Sequence, residues 1–397
     1  MKDMMLKNWV SVIFNLLKNN SFVFSGPFSG FCIIVIIAKI SFLEIDKIYL
    51  LVLGLLAFTS LADGGIPFRL KIESGDEEVT DAIYKVLANV ILLSPLLPII
   101  LAVMLFQNKD ISLSSTDIAA VLCFSGLAAV LKTLSDSLRV IGMRSARRNV
   151  VDQASSMCAL MRASFAFLFV NDVPFLYVYS ITLLIEFGVM AYLSRERLLL
   201  VFVNFSILKI FPKFSFNAAY LLANIGYITG FNVDRIFSFH FLSGDSYKSL
   251  VMTASLLGMS ILPNKILENV KIFPGNYLEA PKYAKFLALA SPLIGVLAFV
   301  SGLWIFNSNL SFESKILNTI ISFFWVPATI YYNNIWASHL RYGGSSKIAR
   351  MTLLAGLMAA LFSFSITSVY ENFLIPFGLI VYSFFNAVSA YWLHKSR

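Results

Sequence analysis

Residues 118–142 read IAAVLCFSGLAAVLKTLSDSLRVIG, a predominantly apolar stretch that carries three charged residues in its second half. A helix needs roughly 20 apolar residues to cross the hydrocarbon core of a bilayer, so this stretch is long enough to span one. The apolar run shows no alternation with a period of two, which argues against a strand of a membrane barrel. The stretch therefore predicts a transmembrane α-helix.

Similar apolar stretches continue along nearly the whole chain in both directions. Hydrophobic residues make up 58% of the 397 residues and charged residues 13%, whereas soluble domains carry about 25% charged residues. Little sequence is left for a soluble domain, and we predict an all-α polytopic membrane protein with about 12 transmembrane helices. The predicted spans are residues 21–40, 47–62, 83–106, 118–142, 153–171, 173–194, 214–242, 248–267, 284–306, 314–339, 349–368 and 372–393.

The distribution of Lys and Arg residues sets the predicted orientation, because the cytoplasmic loops of membrane proteins carry an excess of both. With twelve spans and both termini in the cytoplasm, most of the 31 Lys and Arg residues fall in cytoplasmic segments or span ends. The formal net charge of +9 is then mainly an orientation signal. We expect no nucleic-acid partner, because the basic residues are spread over many short loops and form no single stripe.

The sequence shows no motif for a metal, a cofactor or a soluble type of catalytic centre. Cys32, Cys123 and Cys158 lie inside apolar stretches and form neither a CxxC pair nor a metal-ligand pattern with histidine. Walker A, GxSxG and HExxH motifs are missing. A membrane polysaccharide polymerase stays open as an alternative, although such enzymes usually need a longer outside loop than this chain offers.

An amphipathic stretch at residues 194–213 separates the sixth and seventh predicted spans. It divides the chain into two parts of six spans each, residues 1–198 and 199–397. The two parts share a faint pattern, in which an apolar run, a short polar turn ending in lysine and a second apolar run follow one another. The lysines are Lys47 and Lys248. Such internal repeats are typical of transporters.

The fourth predicted span carries Lys132, Asp136 and Arg139, which lie on one helical face by their spacing of four and three residues. An ionisable side chain in the membrane costs a few kcal/mol on insertion scales, so it needs a partner, water or a function. Two interpretations are open. The three residues either neutralise one another near the cytoplasmic end of the span or line a functional cavity.

Four more charged residues lie in the next three spans. Arg162 is about midway through the fifth span, and Glu186 in the sixth span is either its neutralising partner or a functional group of its own. Asp234 and Arg235 are adjacent in the seventh span, so they point about 100° apart on a helix and do not share one partner. Over the fourth to seventh spans together, four cations outnumber three anions, which favours an anionic cargo such as a diphosphate head group.

Amide and aromatic side chains within the spans are candidate contacts for sugars, through hydrogen bonds and stacking. The candidates are Asn224, Tyr227, Asn333 and Asn334. Hydrogen bonding between helices is the other interpretation for each of these residues, because polar side chains commonly supply it in membrane proteins.

Three short motifs resemble those of Wzx-type polysaccharide flippases. The second predicted span ends in SLADGGI at residues 60–66, which is similar to the Asp-x-Gly signature that closes this helix in the family. The fourth span continues into RVIGMR at residues 139–144, and the seventh contains NVDRIFS at residues 232–238, which resembles the Asp-Arg element of the family. The chain length, the twelve spans and the short loops also match.

The resemblance implies two six-helix bundles around a central cavity, as in the multidrug/oligosaccharidyl-lipid/polysaccharide exporter superfamily. It further implies that undecaprenyl-diphosphate-linked oligosaccharide moves from the cytoplasmic to the periplasmic leaflet of the bacterial inner membrane. The cycle would be alternating access coupled to H⁺ or Na⁺, with polysaccharide polymerases as expected partners. A drug or cation antiporter of the same superfamily is the alternative, although it would favour an acidic cavity.

Roles follow for the charged residues under this resemblance. Arg162 and Arg235 would hold the diphosphate, and Lys132 and Arg139 would support access of the cargo from the cytoplasmic side. The remaining anions, Asp136, Glu186 and Asp234, would carry coupling protons or balance the cations.

Overall fold

The computed structural model describes residues 21–41, 44–56, 77–107, 113–143, 148–196, 218–262, 281–341, 345–366 and 372–395, together with residues 198, 264 and 370. Within these residues the regular structure is entirely helical, and the predicted all-α fold is confirmed. The SLADGGI motif, most of the amphipathic stretch at 194–213 and Pro263 lie outside the described residues.

The described residues form thirteen helices, numbered here in chain order. They are α1 (Ser21–Lys39), α2 (Glu44–Leu56), α3 (Glu77–Leu93), α4 (Leu96–Gln107), α5 (Ser115–Met143), α6 (Arg148–Leu168), α7 (Phe175–Leu193), α8 (Ala218–Phe241), α9 (Gly244–Ser260), α10 (Pro281–Phe306), α11 (Phe312–Arg341), α12 (Ser345–Ser365) and α13 (Phe377–Lys395).

The thirteen helices correspond to the twelve predicted spans, because α3 and α4 together form the third. The helix is interrupted at Ser94 and Pro95, and Pro95 has no N–H to continue the ladder of backbone hydrogen bonds. The chain resumes its helical path directly, as the hydrogen bond of 3.3 Å from the Ile99 N–H to the Pro95 carbonyl shows. The proline thus bends this span without ending it.

Four helical stretches in the described residues are long and apolar enough to cross a membrane by themselves. They are Ile83–Gln107, Ser115–Gly142, Phe175–Leu193 and Ser346–Ser365. Three shorter helical stretches, Ser25–Lys39, Ala290–Phe306 and Phe377–Leu393, are also apolar. Some of the remaining helices contain more polar residues than a helix that faces only lipid. Helices α8 and α9, for example, bury several polar side chains against neighbouring helices.

Equivalent helices pack together in the two parts of the chain. In the first part α1 packs closely on α6, and α7 packs on both α5 and α6. In the second part α8 packs on α12, and α13 packs on both α11 and α12, which repeats the same arrangement six spans later. The two parts meet where α1 and α2 pack on α8 and α9. The predicted boundary between residues 198 and 199 lies at an undescribed segment and stays a prediction.

The closest helix contact in the second part depends on glycine. A Cβ atom added to Gly226 of α8 would lie 2.1 Å from the carbonyl oxygen of Thr352 on α12, and one added to Gly356 would lie 2.4 Å from the carbonyl oxygen of Gly226. Small residues let transmembrane helices approach closely enough for their backbones to pack against each other. This contact fixes α12 against α8, the helix that carries Asp234 and Arg235.

Candidate functional site

The charged face of α5 is arranged as its spacing predicts. The Lys132 Nζ atom lies 2.9 Å from Asp136 Oδ2, and an Arg139 guanidinium nitrogen lies 3.5 Å from Asp136 Oδ1. Asp136 therefore contacts both cations on its own helix, one turn away on either side. These contacts favour the interpretation of a mutually neutralising set.

Arg162 of α6 forms an ion pair with Glu186 of α7, with the guanidinium Nη2 donating to Glu186 Oε2. The same guanidinium donates through Nε to the Thr182 hydroxyl at 3.3 Å and lies 5.0 Å from the centre of the Tyr179 ring. Glu186 thus neutralises Arg162 from the next helix, which was one of the two interpretations open from the sequence. Lys132 is within electrostatic range of both Tyr179 and Glu186, so these groups form one charged cluster across α5, α6 and α7.

Asp234 has a different kind of partner, because its carboxylate caps the start of a helix. Its two oxygens accept hydrogen bonds from the backbone N–H groups of Gly378 at 2.7 Å and Leu379 at 2.8 Å, both in the first turn of α13. The Tyr370 hydroxyl donates a third hydrogen bond of 2.6 Å. A carboxylate at a helix N-terminus satisfies unpaired N–H groups and interacts favourably with the helix dipole. The negative charge of Asp234 is therefore matched by α13.

Arg235 points away from Asp234, towards α9. Its Nη2 donates to the Ser255 hydroxyl at 2.7 Å, whereas its Nε is buried without a hydrogen-bond partner. The ion pairs in the described part of the helices join Lys132, Arg139 and Arg162 to carboxylates, and Arg235 belongs to none of them. Within the described residues, this guanidinium is a half-buried cation with spare donor capacity and no carboxylate in contact.

Tyr49 of α2 interacts electrostatically with both Arg162 and Arg235. It is 1% exposed and packs edge-on against Phe175, with ring centres 4.7 Å apart. Its hydroxyl is within electrostatic range of both Arg162 in the first part and Arg235 in the second. The fold therefore brings both arginines within electrostatic range of one buried tyrosine, although they belong to different parts of the chain.

Tyr247 of α9, which no sequence motif singles out, is fully buried and interacts electrostatically with Arg235. Its hydroxyl has no hydrogen-bond partner, and it lies within electrostatic range of the Arg235 guanidinium. Two neighbouring groups thus keep unused donors, the Arg235 Nε and the Tyr247 hydroxyl. No sequence signal identifies a buried tyrosine as the lining of a polar site, because the same residue type also serves as ordinary core.

The candidate sugar contacts lie in the second part and separate into two groups. Tyr227 of α8 packs on Phe231, with ring centres 4.6 Å apart, and lies 6.5 Å from Tyr382 of α13, so it belongs to an aromatic cluster. Asn224 is half-buried one turn earlier on α8.

The second group is on α11. The Asn333 side chain is buried with an unpartnered Nδ2, whereas the Asn334 Nδ2 donates to the Asn264 Oδ1 at 3.0 Å. Asn334 thus forms the kind of interhelical hydrogen bond that the alternative interpretation describes. The structure brings none of these residues into hydrogen-bond contact with Arg162.

The described residues contain no group of three or more His, Cys, Asp or Glu side chains able to hold a metal ion. Their intramembrane chemistry is that of arginine, lysine, tyrosine and paired carboxylates. Such a site can bind an anion by charge-assisted hydrogen bonds and can move a proton between paired groups.

Two solved structures resemble the whole fold. One is the crystal structure of MATE in complex with MaL6, with a TM-score of 0.54 and 14% sequence identity over 96% of this chain and 95% of that chain. The other is the inward-facing conformation of a multidrug resistance MATE family transporter of the MOP superfamily, with a TM-score of 0.51 and 14% identity over 97% of this chain and 93% of that chain. At this identity the similarity shows the fold alone. No protein-family model matches the sequence, and no curated protein matches it.

The shared fold agrees with the exporter superfamily that the sequence motifs imply. It does not distinguish a Wzx-type flippase from a drug exporter. That distinction depends on the chemistry of the buried charges.

Proposed function

We propose that this protein is a transporter that moves undecaprenyl-diphosphate-linked oligosaccharide across a bacterial inner membrane by ion-coupled alternating access. The observation that carries the proposal is the unpaired guanidinium of Arg235 at the junction of the two parts of the chain. Arginine presents planar, permanently charged donors that match phosphate oxygens, and a buried cation without an anion is costly unless a ligand supplies one. A diphosphate supplies that anion.

The neighbouring tyrosine supports the same cargo. The Arg235 Nε and the Tyr247 hydroxyl are unused donors within electrostatic range of each other. A diphosphate has enough acceptor oxygens to engage both, whereas an organic cation would leave both unsatisfied and would be repelled by the guanidinium. Unsatisfied buried donors cost about 1–3 kcal/mol each, so occupation by an acceptor is favoured.

The ion pair between Arg162 and Glu186 provides a route for coupling. While Glu186 is ionised it holds Arg162, and protonation of Glu186 would release the guanidinium for an anionic cargo. A proton gradient would then favour cargo binding on the side from which Glu186 is protonated. In this proposal Arg162 and Arg235 contact the diphosphate from opposite parts of the fold, while Lys132 and Arg139 raise the local positive potential.

A drug or cation antiporter is the second candidate, because one of the proteins with a similar fold is a multidrug resistance transporter. A cationic drug needs an available carboxylate. In the described helices Glu186 is bound to Arg162, and Asp234 is bound to α13 and Tyr370. The charge arrangement therefore favours the anionic cargo over the cationic one.

Purified protein in proteoliposomes tests the proposal directly. The probe is a fluorescent short-chain polyprenyl-diphosphate-linked N-acetylglucosamine, whose transfer between leaflets is followed by quenching with a membrane-impermeant reductant. Uptake of ethidium is measured in parallel, under imposed H⁺ and Na⁺ gradients. We expect gradient-dependent transfer of the lipid-linked sugar and no ethidium transport.

Arg235→Gln is the informative variant, and Arg350→Gln, at an exposed arginine on α12, is its matched control. The first should lose most of the transfer and the second should retain it. Ethidium transport without transfer of the lipid-linked sugar would overturn the flippase and support the antiporter.

The proposed function also includes the orientation of the protein in the membrane and its expected protein partner. The excess of Lys and Arg in the predicted cytoplasmic segments supports a cytoplasmic location for both termini. A flippase of this class delivers its cargo to a polysaccharide polymerase on the far side, which is the partner expected from the resemblance.

A further inference from the structure

The two parts of the chain contact each other through a pair of lysines, one from each part. Lys47 follows the turn between α1 and α2, and Lys248 follows the turn between α8 and α9. These are the residues that mark the faint repeat in the sequence. We refer to Lys47, Lys248 and their contacts as the lysine latch.

Lys47 reaches from the first part into the second. Its Nζ atom lies 5.2 Å from the centre of the Phe239 ring and 6.0 Å from the centre of the Tyr247 ring. The two rings pack edge to face, with centres 5.5 Å apart, and both are almost fully buried. A cation over an aromatic face is attracted by the ring quadrupole, more strongly where water is displaced.

Lys248 reaches in the opposite direction. Its Nζ atom donates a hydrogen bond of 3.2 Å to the backbone carbonyl of Ser41 in the first turn. That turn is held firmly, because the Ser41 hydroxyl donates to Asp46 Oδ2 at 2.5 Å and the Phe175 N–H donates to Asp46 Oδ1 at 2.8 Å. Lys248 thus binds a carbonyl whose position is fixed by α7.

The two contacts are reciprocal, since each part supplies one lysine and the groups that receive the lysine of the other part. The equivalent positions of the lysines in the two parts explain why the sequence repeats the pattern. Lys39 also crosses between the parts, towards Ser308 and Asn309, but this contact is exposed and therefore contributes less. The lysine distribution places this end of the molecule on the outer side of the membrane.

We propose that the lysine latch holds the two parts together at this end of the fold and that it opens once in each transport cycle. Alternating access requires the parts to separate at each end in turn, so a contact between them at one end must break when that end opens. Phe239 lies one helical turn from Arg235, and Tyr247 lies within electrostatic range of it. Movement of Lys47 away from these rings would therefore coincide with a change at the proposed anion site.

The inference rests on the transport part of the proposed function and not on the identity of the cargo. It can be tested without cargo, by electron–electron double resonance between spin labels at Asp172→Cys and Asn372→Cys. Both positions are exposed and lie between consecutive helices at this end, Asp172 between α6 and α7 and Asn372 between α12 and α13. The background replaces Cys32, Cys123 and Cys158 with alanine.

We compare the native latch with Lys47→Ala/Lys248→Ala, in proteoliposomes. The double variant should increase the population with the longer label distance about tenfold, relative to the population with the shorter distance. This size is expected from the strength of a desolvated cation–π contact together with a hydrogen bond. Lys347→Ala is the control, because Lys347 is an exposed lysine on α12 in the second part. It should leave the distances unchanged.

A distance distribution in the double variant that superimposes on that of the native protein would overturn the latch. If the double variant fails to fold, Lys47→Met and Lys248→Met serve instead, because each keeps an apolar stem and removes only the charge. Each single variant should then show a smaller shift in the same direction. Unchanged label distances in both single variants would also rule out the lysine latch, whatever cargo the protein transports.

Discussion

Arg162 of α6 and Glu186 of α7 form an ion pair inside the first part of the fold, although 24 positions separate them in the sequence. The guanidinium is 13% exposed and the carboxylate 7% exposed, so the pair is largely removed from water. A buried pair of this kind contributes little net stability, but loss of one partner leaves an uncompensated charge.

The first prediction concerns this pair. Arg162→Gln or Glu186→Gln alone should destabilise the fold by about 3–5 kcal/mol, because each leaves a buried charge unpaired. The double variant should recover most of that loss, since two neutral amides can hydrogen-bond to each other. Thermal unfolding in detergent, followed by tryptophan fluorescence, measures the three variants. A double variant less stable than both single variants would show that the two residues do not act as a pair.

The second prediction separates binding of the anion from folding. Arg235→Lys keeps the charge but loses the planar donors, so it should raise the half-saturating cargo concentration roughly tenfold, with little change in stability. Tyr247→Phe removes one unused donor and should weaken binding less, by about 1 kcal/mol. Transfer of the lipid-linked sugar is measured against cargo concentration for each variant. Native affinity in Arg235→Lys and Arg235→Gln alike would exclude contact between this residue and the cargo.

The proposed role of Arg162 in transport can also be tested in the cell, with the variant Arg162→Ala. In the organism of origin, we expect it to abolish surface polysaccharide while membrane insertion remains intact. Glu186→Gln is the control, because it should lose a similar amount of stability but keeps the Arg162 guanidinium, so it should alter the coupling without abolishing surface polysaccharide. Normal polysaccharide in the Arg162→Ala strain would exclude an essential role for this arginine.

The sequence predicted those parts of the fold that depend on local spacing. The contacts of Asp136 with Lys132 and Arg139 follow from helical geometry alone. The pairing of Arg162 with Glu186 was one of two interpretations that the sequence left open, and the structure shows the ion pair. Contacts between helices that are distant in the sequence could not be predicted. Tyr247 beside Arg235, or Asp46 at the start of α7, depends on how helices pack, and an apolar pattern does not specify which face meets which neighbour.

Asp234 illustrates the same limit. From the sequence, it is an intramembrane carboxylate available for a coupling ion. In the structure it accepts three hydrogen bonds, two of them from residues 144 and 145 positions later that begin α13. When the capping carboxylate belongs to a helix far away in the sequence, no local sequence motif indicates the cap.

The third prediction follows from that cap. Asp234→Asn replaces one accepting oxygen with an NH₂ group that faces backbone donors, so it should destabilise the fold by about 3 kcal/mol. Asp172→Asn, at an exposed loop position, is the control and should change stability by less than about 0.5 kcal/mol. Melting temperatures in detergent measure both. Equal stability of the two variants would mean that the capping contacts contribute nothing.

The fourth prediction tests the packing of α8 on α12. Gly226→Ala places a Cβ atom 2.1 Å from the Thr352 carbonyl oxygen, a backbone atom that no side-chain rotation can move. The helices must therefore separate, which should cost about 2–3 kcal/mol and displace α8 together with Arg235. Gly258→Ala is the matched control, because a Cβ atom at that helical position meets nothing within 4 Å.

The control should be neutral or slightly stabilising, since alanine loses less backbone entropy than glycine on folding. Size-exclusion profiles and melting temperatures compare the two variants, and sugar transfer is measured in parallel. Gly226→Ala should reduce both stability and transfer, because α8 carries the proposed anion site. A variant that keeps native stability would show that α8 and α12 are not as close as 2.1 Å implies. Reduced stability with native transfer would instead separate this contact from the site at Arg235.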